Sequence, residues 1–290
     1  MRMTRRRFLT LSAAAVLPGR ARAASQSWRG IAFGGEVSIT ITGRADRLAA
    51  DLKALTLRMR QIEARFTLFD PGSDLRRLNR LGRALLGPDL DAVLEVAQAV
   101  HDATDGMFDP TVQSLWLDLA EGRTPDLGRI GLGQLRREGG DLVLGPGQQL
   151  TLNGIAQGFA ADQLRDMLRA RGYARALVDM GEQAALGGHF RLGIEDPAAG
   201  PVGRVSIRNA AVATSSPGAM RIGGRNHILH PRGGAALWST VTVVAGQAAL
   251  ADAASTAFCL MDVPAMRRAR DRLGLHRVLY VDRDGDVRSL

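Results

Sequence analysis

The feature that most constrains the fold is a change in the spacing of apolar residues near Gly172. Before this point apolar side chains recur at helical intervals, and after it short runs of strand length dominate. The predicted helices cover residues 45–66, 88–104, 155–171, 247–260 and 264–273. The predicted strands cover 28–42, two short pieces within 141–152, then 176–180, 190–194, 204–207, 211–214, 227–230, 239–244 and 277–281. We therefore predict an α+β fold, with early helices and a strand-rich C-terminal half, forming one compact domain of one or two lobes.

The first 23 residues have the pattern of an export signal. Thr4-Arg5-Arg6-Arg7-Phe8-Leu9 fits the twin-arginine motif, an apolar stretch follows, and Ala21-Arg22-Ala23 has the form of a cleavage site. The apolar stretch is shorter than the ~20 residues that span a bilayer, and we expect no transmembrane segment in the mature chain. The sequence predicts a signal peptide over 1–23, a domain over 24–290 and a periplasmic location.

Charge and cysteine content exclude several classes of protein. The net charge of +9 falls to +3 without residues 1–23, which hold six arginines and no acid. The remainder shows no basic stripe with interleaved aromatic residues, so we predict no nucleic-acid binding. The single cysteine, Cys259, forms no internal disulfide or thiolate zinc site. The sequence has no nucleophile elbow, zinc-protease motif or P-loop.

A carboxylate and two hydroxyls lie together near the start of the predicted helix 247–260. Asp252 and Thr256 are four residues apart, so their oxygens project from one face, with Ser255 nearby. Hard oxygen ligands of this kind suit Mg²⁺ better than zinc. An aspartate that only complements the helix dipole gives the same spacing.

Three further segments carry polar groups at turns. The junction Thr151–Phe159 joins a strand to a helix through glycines and can offer backbone N–H groups to a phosphate, or it is simply a tight turn. Asp109 precedes a proline, which keeps its backbone extended and lets its side chain face a pocket. His227 and His230 are candidate acid–base groups, although on a strand they would face opposite sides.

Taken in order, eight motifs between Phe33 and Met261 make the chain resemble the ApbE-like FAD:protein FMN transferases. The motifs are Phe33-Gly34-Gly35-Glu36, 66–79 (FTLFDPGSDLRRLN), 106–112 (GMFDPTV), 153–159 (NGIAQGF), 177–181 (LVDMG), 212–215 (VATS), 227–234 (HILHPRGG) and 251–256 (ADAAST). The sequence of residues 153–158, together with the twin-arginine leader, is most similar to that of the NosX-like branch, which is linked to nitrous-oxide respiration.

The resemblance implies roles for individual residues. Asp252, Thr256 and the Gly154 carbonyl match metal ligands, with Ser255 beside them, and His227 matches a histidine implicated in catalysis. The positions that match contacts to FAD are Phe33, Phe69, Met107, Phe108, Asp109, Thr151, Gln157 and Ile228. Asp109 is a second catalytic candidate, because it can orient the acceptor.

The chain also departs from the family pattern. Relatives usually carry Asp where this chain has Thr151, often Lys at Gln157, often Asp at His230 and often Thr at Gly233. Relative to that pattern, these changes remove two negative charges and one positive charge.

The resemblance implies a Mg²⁺-dependent enzyme with FAD as its substrate. It would transfer FMN to a Ser or Thr hydroxyl of a periplasmic or membrane-bound acceptor flavoprotein and release AMP. Two alternatives remain open: an FAD pyrophosphatase, in which water replaces the protein hydroxyl, and a non-enzymatic carrier that delivers FAD intact. Retention of Asp252 and Thr256 argues against the carrier, which needs no metal at the pyrophosphate.

Overall fold

The computed structural model describes residues 24–43 and 45–290. The predicted signal peptide, residues 1–23, lies outside the described residues. Among those that are described, every helix is too short or too polar to cross a bilayer.

Seven α-helices and fifteen strands make up the described chain. The helices are α1 (Ala45–Phe66), α2 (Asp74–Leu81), α3 (Pro88–Ala103), α4 (Gln113–Ala120), α5 (Ala156–Ala170), α6 (Ala248–Phe258) and α7 (Val263–Leu273). The strands are β1 (Ala24–Ala32), β2 (Gly35–Gly43), β3 (Arg83–Leu85), β4 (Arg136–Glu138), β5 (Asp141–Val143), β6 (Arg175–Asp179), β7 (Gln183–Leu186), β8 (Phe190–Asp196), β9 (Gly200–Ile207), β10 (Ala211–Ser215), β11 (Arg221–Ile222), β12 (Arg225–Asn226), β13 (Thr240–Ala245), β14 (Arg277–Val281) and β15 (Val287–Ser289).

An eight-stranded antiparallel sheet organises the molecule, in the order β1-β2-β6-β7-β10-β13-β14-β15. The first two strands of the chain pair with the later strands, since Ile39 lies opposite Val178. The N-terminal and C-terminal halves therefore share one sheet and one core, which confirms the α+β prediction of one compact domain.

The two faces of the sheet are covered differently. Helices α1, α3, α5 and α6 bury one face in the main core, where Val178 and Val243 are fully buried. Leu177 and Val212 point to the other face and pack with Ile194 and Val205 of the β8–β9 hairpin, which forms a second, smaller core. The alternation of buried side chains along each strand places these two sets on opposite sides.

The structure departs from the predicted elements at several places, and it also contains helix α4 and strands β3, β7 and β15, which were not predicted. The single strand predicted over 28–42 is a hairpin, because Phe33 and Gly34 both have positive φ, as a tight two-residue turn requires. Helix α2 was not predicted; its N-cap Ser73 accepts a hydrogen bond from the Arg76 backbone N–H. The predicted strand 227–230 is wrong, because only Arg225 and Asn226 pair, with β11, before the loop begins.

Candidate active site

The candidate site forms where α5 and α6 approach most closely. Gly158 makes the approach possible, since a Cβ there would lie 2.4 Å from the carbonyl oxygen of Ala248. The Gly158 N–H donates to Asp252 Oδ2 at 3.1 Å. In the other direction, the carboxylate of Asp162 accepts from the N–H groups of Ala248 and Ala249, both at 2.9 Å, and so caps α6. These bonds fix the axial position of α6 and therefore of Asp252.

The turn before α5 meets the side chain of Thr256. A Cβ at Gly154 would lie 2.9 Å from Thr256 Oγ1 and 3.5 Å from Phe108 Cε2, so three distant segments converge on this glycine. Ser215 Oγ lies 2.7 Å from Ser255 Oγ and 3.3 Å from Thr256 Oγ1. The structure therefore brings Gly154, Ser255 and Thr256 together, one helical turn after Asp252, and adds a third hydroxyl, that of Ser215.

Two buried carboxylates at this junction, Asp252 and Glu182, have no salt-bridge partner among the described residues, whereas Asp162 pairs with Arg165 at 2.9 Å. Burial, together with the charge of Asp162, raises the pKa of Asp252 to about 7 against the lowering effect of the Gly158 N–H. Glu182 is also buried, and burial and the charge of Asp252 hold its pKa well above the usual range. Its Oε2 accepts the Thr214 N–H at 3.0 Å. A bound cation would compensate this negative charge.

The donor atoms at the junction fit a hard divalent cation. They comprise one buried carboxylate, the hydroxyl of Thr256 and the region of the Gly154 carbonyl, all oxygen, as Mg²⁺ prefers. No cluster of three or more His, Cys, Asp or Glu side chains suited to a metal occurs in 24–43 and 45–290. Mg²⁺ usually keeps several waters and takes further ligands from the phosphates of its substrate.

His227 is tied to the same junction through the segment after β10. Its Nδ1 lies 3.0 Å from the carbonyl oxygen of Pro217, two residues beyond Ser215. A carbonyl only accepts, so Nδ1 carries the proton and Nε2 has a free lone pair. Burial lowers the pKa of His227 below 6.5, so the ring is neutral at pH 7. His227 therefore has the tautomer and charge that a general base requires.

Asp109 holds a turn with both carboxylate oxygens. Oδ1 accepts from the N–H and the hydroxyl of Thr111, and Oδ2 accepts from the Leu132 N–H at 3.1 Å. It borders a cavity of about 370 Å³ that His101 and Arg232 also line, which brings the loop after His227 beside the first half of the chain. With three donors already bound, Asp109 is better placed to shape this cavity than to move a proton. A larger cavity, of about 480 Å³ between α3 and the β4–β5 hairpin, contains none of the predicted residues.

Other predicted flavin contacts lie around this region in different environments. Gln157 donates its amide to the Met180 carbonyl at 2.7 Å, so its polar end is engaged with the chain. Thr151 Oγ1 accepts the Asn153 N–H at 3.2 Å, within the turn before α5. Phe69 is 75% exposed. Phe33, Met107 and Ile228 are partly buried against the main core. Their roles toward FAD stay predictions.

Sequence reasoning assigned no role to four residues of the junction: Gly158, Asp162, Glu182 and Ser215. Asp162 forms an ion pair with the nearby Arg165, but its capping partner Ala248 is 86 positions away, and Glu182 accepts from Thr214, 32 positions away. Gly158 was visible as a helix-interior glycine, an unfavourable residue there unless packing requires it.

Comparison with known proteins supports this architecture. Among solved structures, the ApbE protein of Thermotoga maritima has a TM-score of 0.82 at 23% identity, covering 91% of this chain and 96% of that one. The apo flavinyl transferase ApbE of Pseudomonas stutzeri has a TM-score of 0.80 at 22% identity, with 93% and 95% covered. These similarities show the shared fold.

Sequence comparison gives the family. An FAD:protein FMN transferase of Rhodobacter capsulatus is 32% identical over 155 residues, which is 49% of this chain and 30% of that protein. The chain thus spans about a third of the length of that curated relative. The sequence profile of the ApbE family matches residues 33–279, a range that contains every residue of the junction described above. The chain therefore belongs to the ApbE family.

Proposed function

We propose that this protein transfers FMN from FAD to a Ser or Thr hydroxyl of a partner flavoprotein, with release of AMP, in a Mg²⁺-dependent reaction. The observation that carries the proposal is that α6 meets the start of α5 at two points, Thr256 at Gly154 and Asp252 at the Gly158 N–H, in a member of the ApbE family. The name of the Rhodobacter relative, FAD:protein FMN transferase, supports the same reaction.

Each residue of the site has a separate role in a phosphoryl-type transfer. The acceptor oxygen forms a bond to the FMN phosphorus, the bond from that phosphorus to the bridging oxygen breaks, and AMP leaves with that oxygen. Mg²⁺, held by Asp252, Thr256 and the Gly154 carbonyl, would neutralise charge on the pyrophosphate. The positive end of the α5 dipole lies beside Gly154 and favours the same phosphates. The proton of the acceptor hydroxyl passes to Nε2 of His227.

The His227→Asn variant is expected to lower the transfer rate by about 10²–10⁴-fold, the usual worth of a general base. An asparagine amide can keep the hydrogen bond to Pro217 but cannot accept the acceptor's proton. The wild-type rate should fall as the pH drops through the pKa of His227, which burial places below 6.5, because only the neutral ring acts as base. The variant should lack this limb of the pH–rate profile.

His230→Asn is the matched control, because His230 is also a histidine of the 227–234 loop and its Nδ1 accepts the Arg232 N–H. It should change the rate by less than about tenfold and keep the pH limb. Equal losses of transfer rate in the two variants would show that His227 is not the general base. So would a fall in rate at low pH that persists in His227→Asn.

The reaction itself is tested by in-gel flavin fluorescence. The protein is incubated with FAD, Mg²⁺ and an acceptor flavin domain, with and without EDTA, and the acceptor band is examined after denaturation. Fluorescence that survives denaturation and disappears with EDTA is the expected result. Free FMN and AMP without a fluorescent band would identify a pyrophosphatase. Intact FAD that stays bound, with no product for any acceptor tested, would identify a carrier.

We also propose a periplasmic location, reached by the twin-arginine route, and a membrane-bound acceptor with a periplasmic flavin domain that serves nitrous-oxide respiration. The motif Arg5-Arg6-Arg7-Phe8-Leu9 supports the twin-arginine route. The similarity of the sequence of residues 153–158 to the NosX-like branch supports the proposed acceptor. Arg5→Lys together with Arg6→Lys should leave the protein in the cytoplasmic fraction and deprive the membrane acceptor of covalent flavin. Export at the wild-type level, measured by fractionation, would contradict the twin-arginine route.

A further inference from the structure

The β8–β9 hairpin presents a basic surface on its outer side. Its inner side chains, such as Val205 and Ile207, are buried in the smaller core, so the alternate residues face outward. The outward set includes Arg191, Arg204 and Arg208, all exposed. Register places Arg191 opposite Ser206 and Arg204 opposite Gly193, so no acid lies across from either arginine.

These three arginines are unpaired. Within 24–43 and 45–290, no acidic side chain lies within salt-bridge distance of Arg191, Arg204 or Arg208, and none of their guanidinium groups donates a hydrogen bond to another described residue. Most other arginines among the described residues do have such partners, for example Arg58 with Asp89 at 2.6 Å. An unpaired set on one face is available to an external anion.

Other cations extend this surface at the end of the main sheet where the hairpin joins it. Arg175, at the start of β6, lies 4.5 Å from the ring centroid of Phe190 and donates to the His189 carbonyl. Arg277 opens β14, pairs with Val244 at the same end of the sheet and is exposed. We define Arg175, Arg191, Arg204, Arg208 and Arg277 as the basic end. Its members are spread over about a hundred residues, so they do not form a basic stripe in the sequence.

Four of the five arginines of the basic end lie at the opposite end of the strands from the candidate site. Arg204 lies midway along the β8–β9 hairpin, whose turn reaches Ser239 and Thr240 through Asp196. Strand β6 runs from Arg175 to Asp179 and ends beside Met180, whose carbonyl binds Gln157. Strand β10 likewise runs from Ala211, near the hairpin, to Ser215, beside Thr256. At ~3.3 Å per residue, these strands separate the two regions by roughly 15 Å.

We propose that the basic end binds the surface of a bilayer rich in anionic phospholipid, with the candidate site facing away from it. Charge complementarity favours this occupant, because the arginines lie on the outer face of a two-stranded ribbon rather than in a groove, and each can meet a separate headgroup. The orientation leaves the site open to a domain that projects from the membrane. The proposal rests on charge and topology and does not depend on the transfer activity.

The test is co-sedimentation of the full-length protein with vesicles of phosphatidylglycerol and phosphatidylcholine in equal parts, or of phosphatidylcholine alone. A triple variant carries Arg191→Gln, Arg204→Gln and Arg208→Gln. Each arginine at an anionic surface contributes about a fivefold factor to binding, so the variant should bind the anionic vesicles roughly 100-fold more weakly. Binding of the wild type should also weaken between about 0.1 M and 1 M salt.

Two further variants make the result specific. Arg76→Gln, Arg77→Gln and Arg80→Gln remove the same charge from exposed positions of α2, which is not part of the hairpin, and should preserve binding. Arg191→Lys, Arg204→Lys and Arg208→Lys keep the charge of the basic end and should bind as the wild type does. Residues 1–23 are the same in all these proteins, so the proteins differ only at the substituted arginines.

Several outcomes would overturn the proposal. One is wild-type binding no stronger to anionic than to neutral vesicles. Another is an equal loss of vesicle binding in the α2 variant, which would show that binding depends only on the net charge of the protein. Unchanged vesicle binding by the hairpin variant, combined with loss of salt-sensitive binding to a soluble acidic acceptor domain, would assign the basic end to a protein partner instead.

Discussion

Replacing Asp252 with asparagine is expected to lower the rate of FMN transfer by roughly 1000-fold while leaving the fold intact. The carboxylate is the charged donor among the proposed cation ligands, and an amide offers only a neutral oxygen. The asparagine can still accept the Gly158 N–H, which the structure places 3.1 Å from Oδ2. It also removes a buried charge, so the variant without metal should be at least as stable as the wild type.

The readout that separates cation binding from activity is the thermal midpoint of unfolding with and without Mg²⁺. A ligand at about 100 times its Kd stabilises the native state by about 2.7 kcal/mol, and this gain should be present in the wild type and absent in Asp252→Asn. Ser255→Ala is the matched control, since Ser255 is a buried polar residue of the same helix. It should keep the Mg²⁺-dependent shift and most of the rate. A full Mg²⁺ shift in Asp252→Asn would show that the cation binds elsewhere.

Replacing Gly158 with alanine is expected to destabilise the protein by about 3 kcal/mol. The added Cβ would meet the backbone of Ala248 and Ala249, at 2.4 Å from the carbonyl oxygen and 2.7 Å from the amide nitrogen. Backbone atoms cannot rotate away as a side chain can, so α5 and α6 must separate. Chemical denaturation measures the loss of stability, and the shift of α6 should also lower transfer at least tenfold.

Gly193→Ala is the control for that substitution. Gly193 lies within β8, and a Cβ there would meet nothing within 4 Å. Alanine in place of glycine within a strand should change stability by no more than about 1 kcal/mol, and in the stabilising direction. If Gly158→Ala matched Gly193→Ala in both stability and rate, the close helix contact would not be what positions Asp252.

Local periodicity predicted the helices well. The helix predicted over 45–66 is α1 with the same limits, because Leu55, Met59 and Ile62 recur at helical spacing and are all buried. The helix over 247–260 is confirmed as α6, which carries Asp252 and Thr256 on one face, as their spacing requires. These features depend only on neighbours within a few turns, which the sequence displays directly.

Features set by distant partners were not predicted. Strand β7 exists because it lies between β6 and β10 in the sheet, and its four residues alone give little pattern. The segment after His227 was predicted as a strand from its apolar residues Ile228 and Leu229, but Pro231 and the following glycines favour a loop, which formed. Ser215 and Glu182 reach the site only through the pairing of β10 with its neighbours.

The antiparallel sheet also determines the stage of folding at which the site can form. Gly154, Ser215 and Thr256 are supplied by three parts of the chain, and β13 must be in place before α6 can return across the sheet. Contacts of such long sequence separation form late and slowly. A nascent or truncated chain that ends before α6 would contain most residues expected around the flavin yet bind no cation. Cation binding would therefore report that the whole chain, and not merely its N-terminal half, has reached the native state.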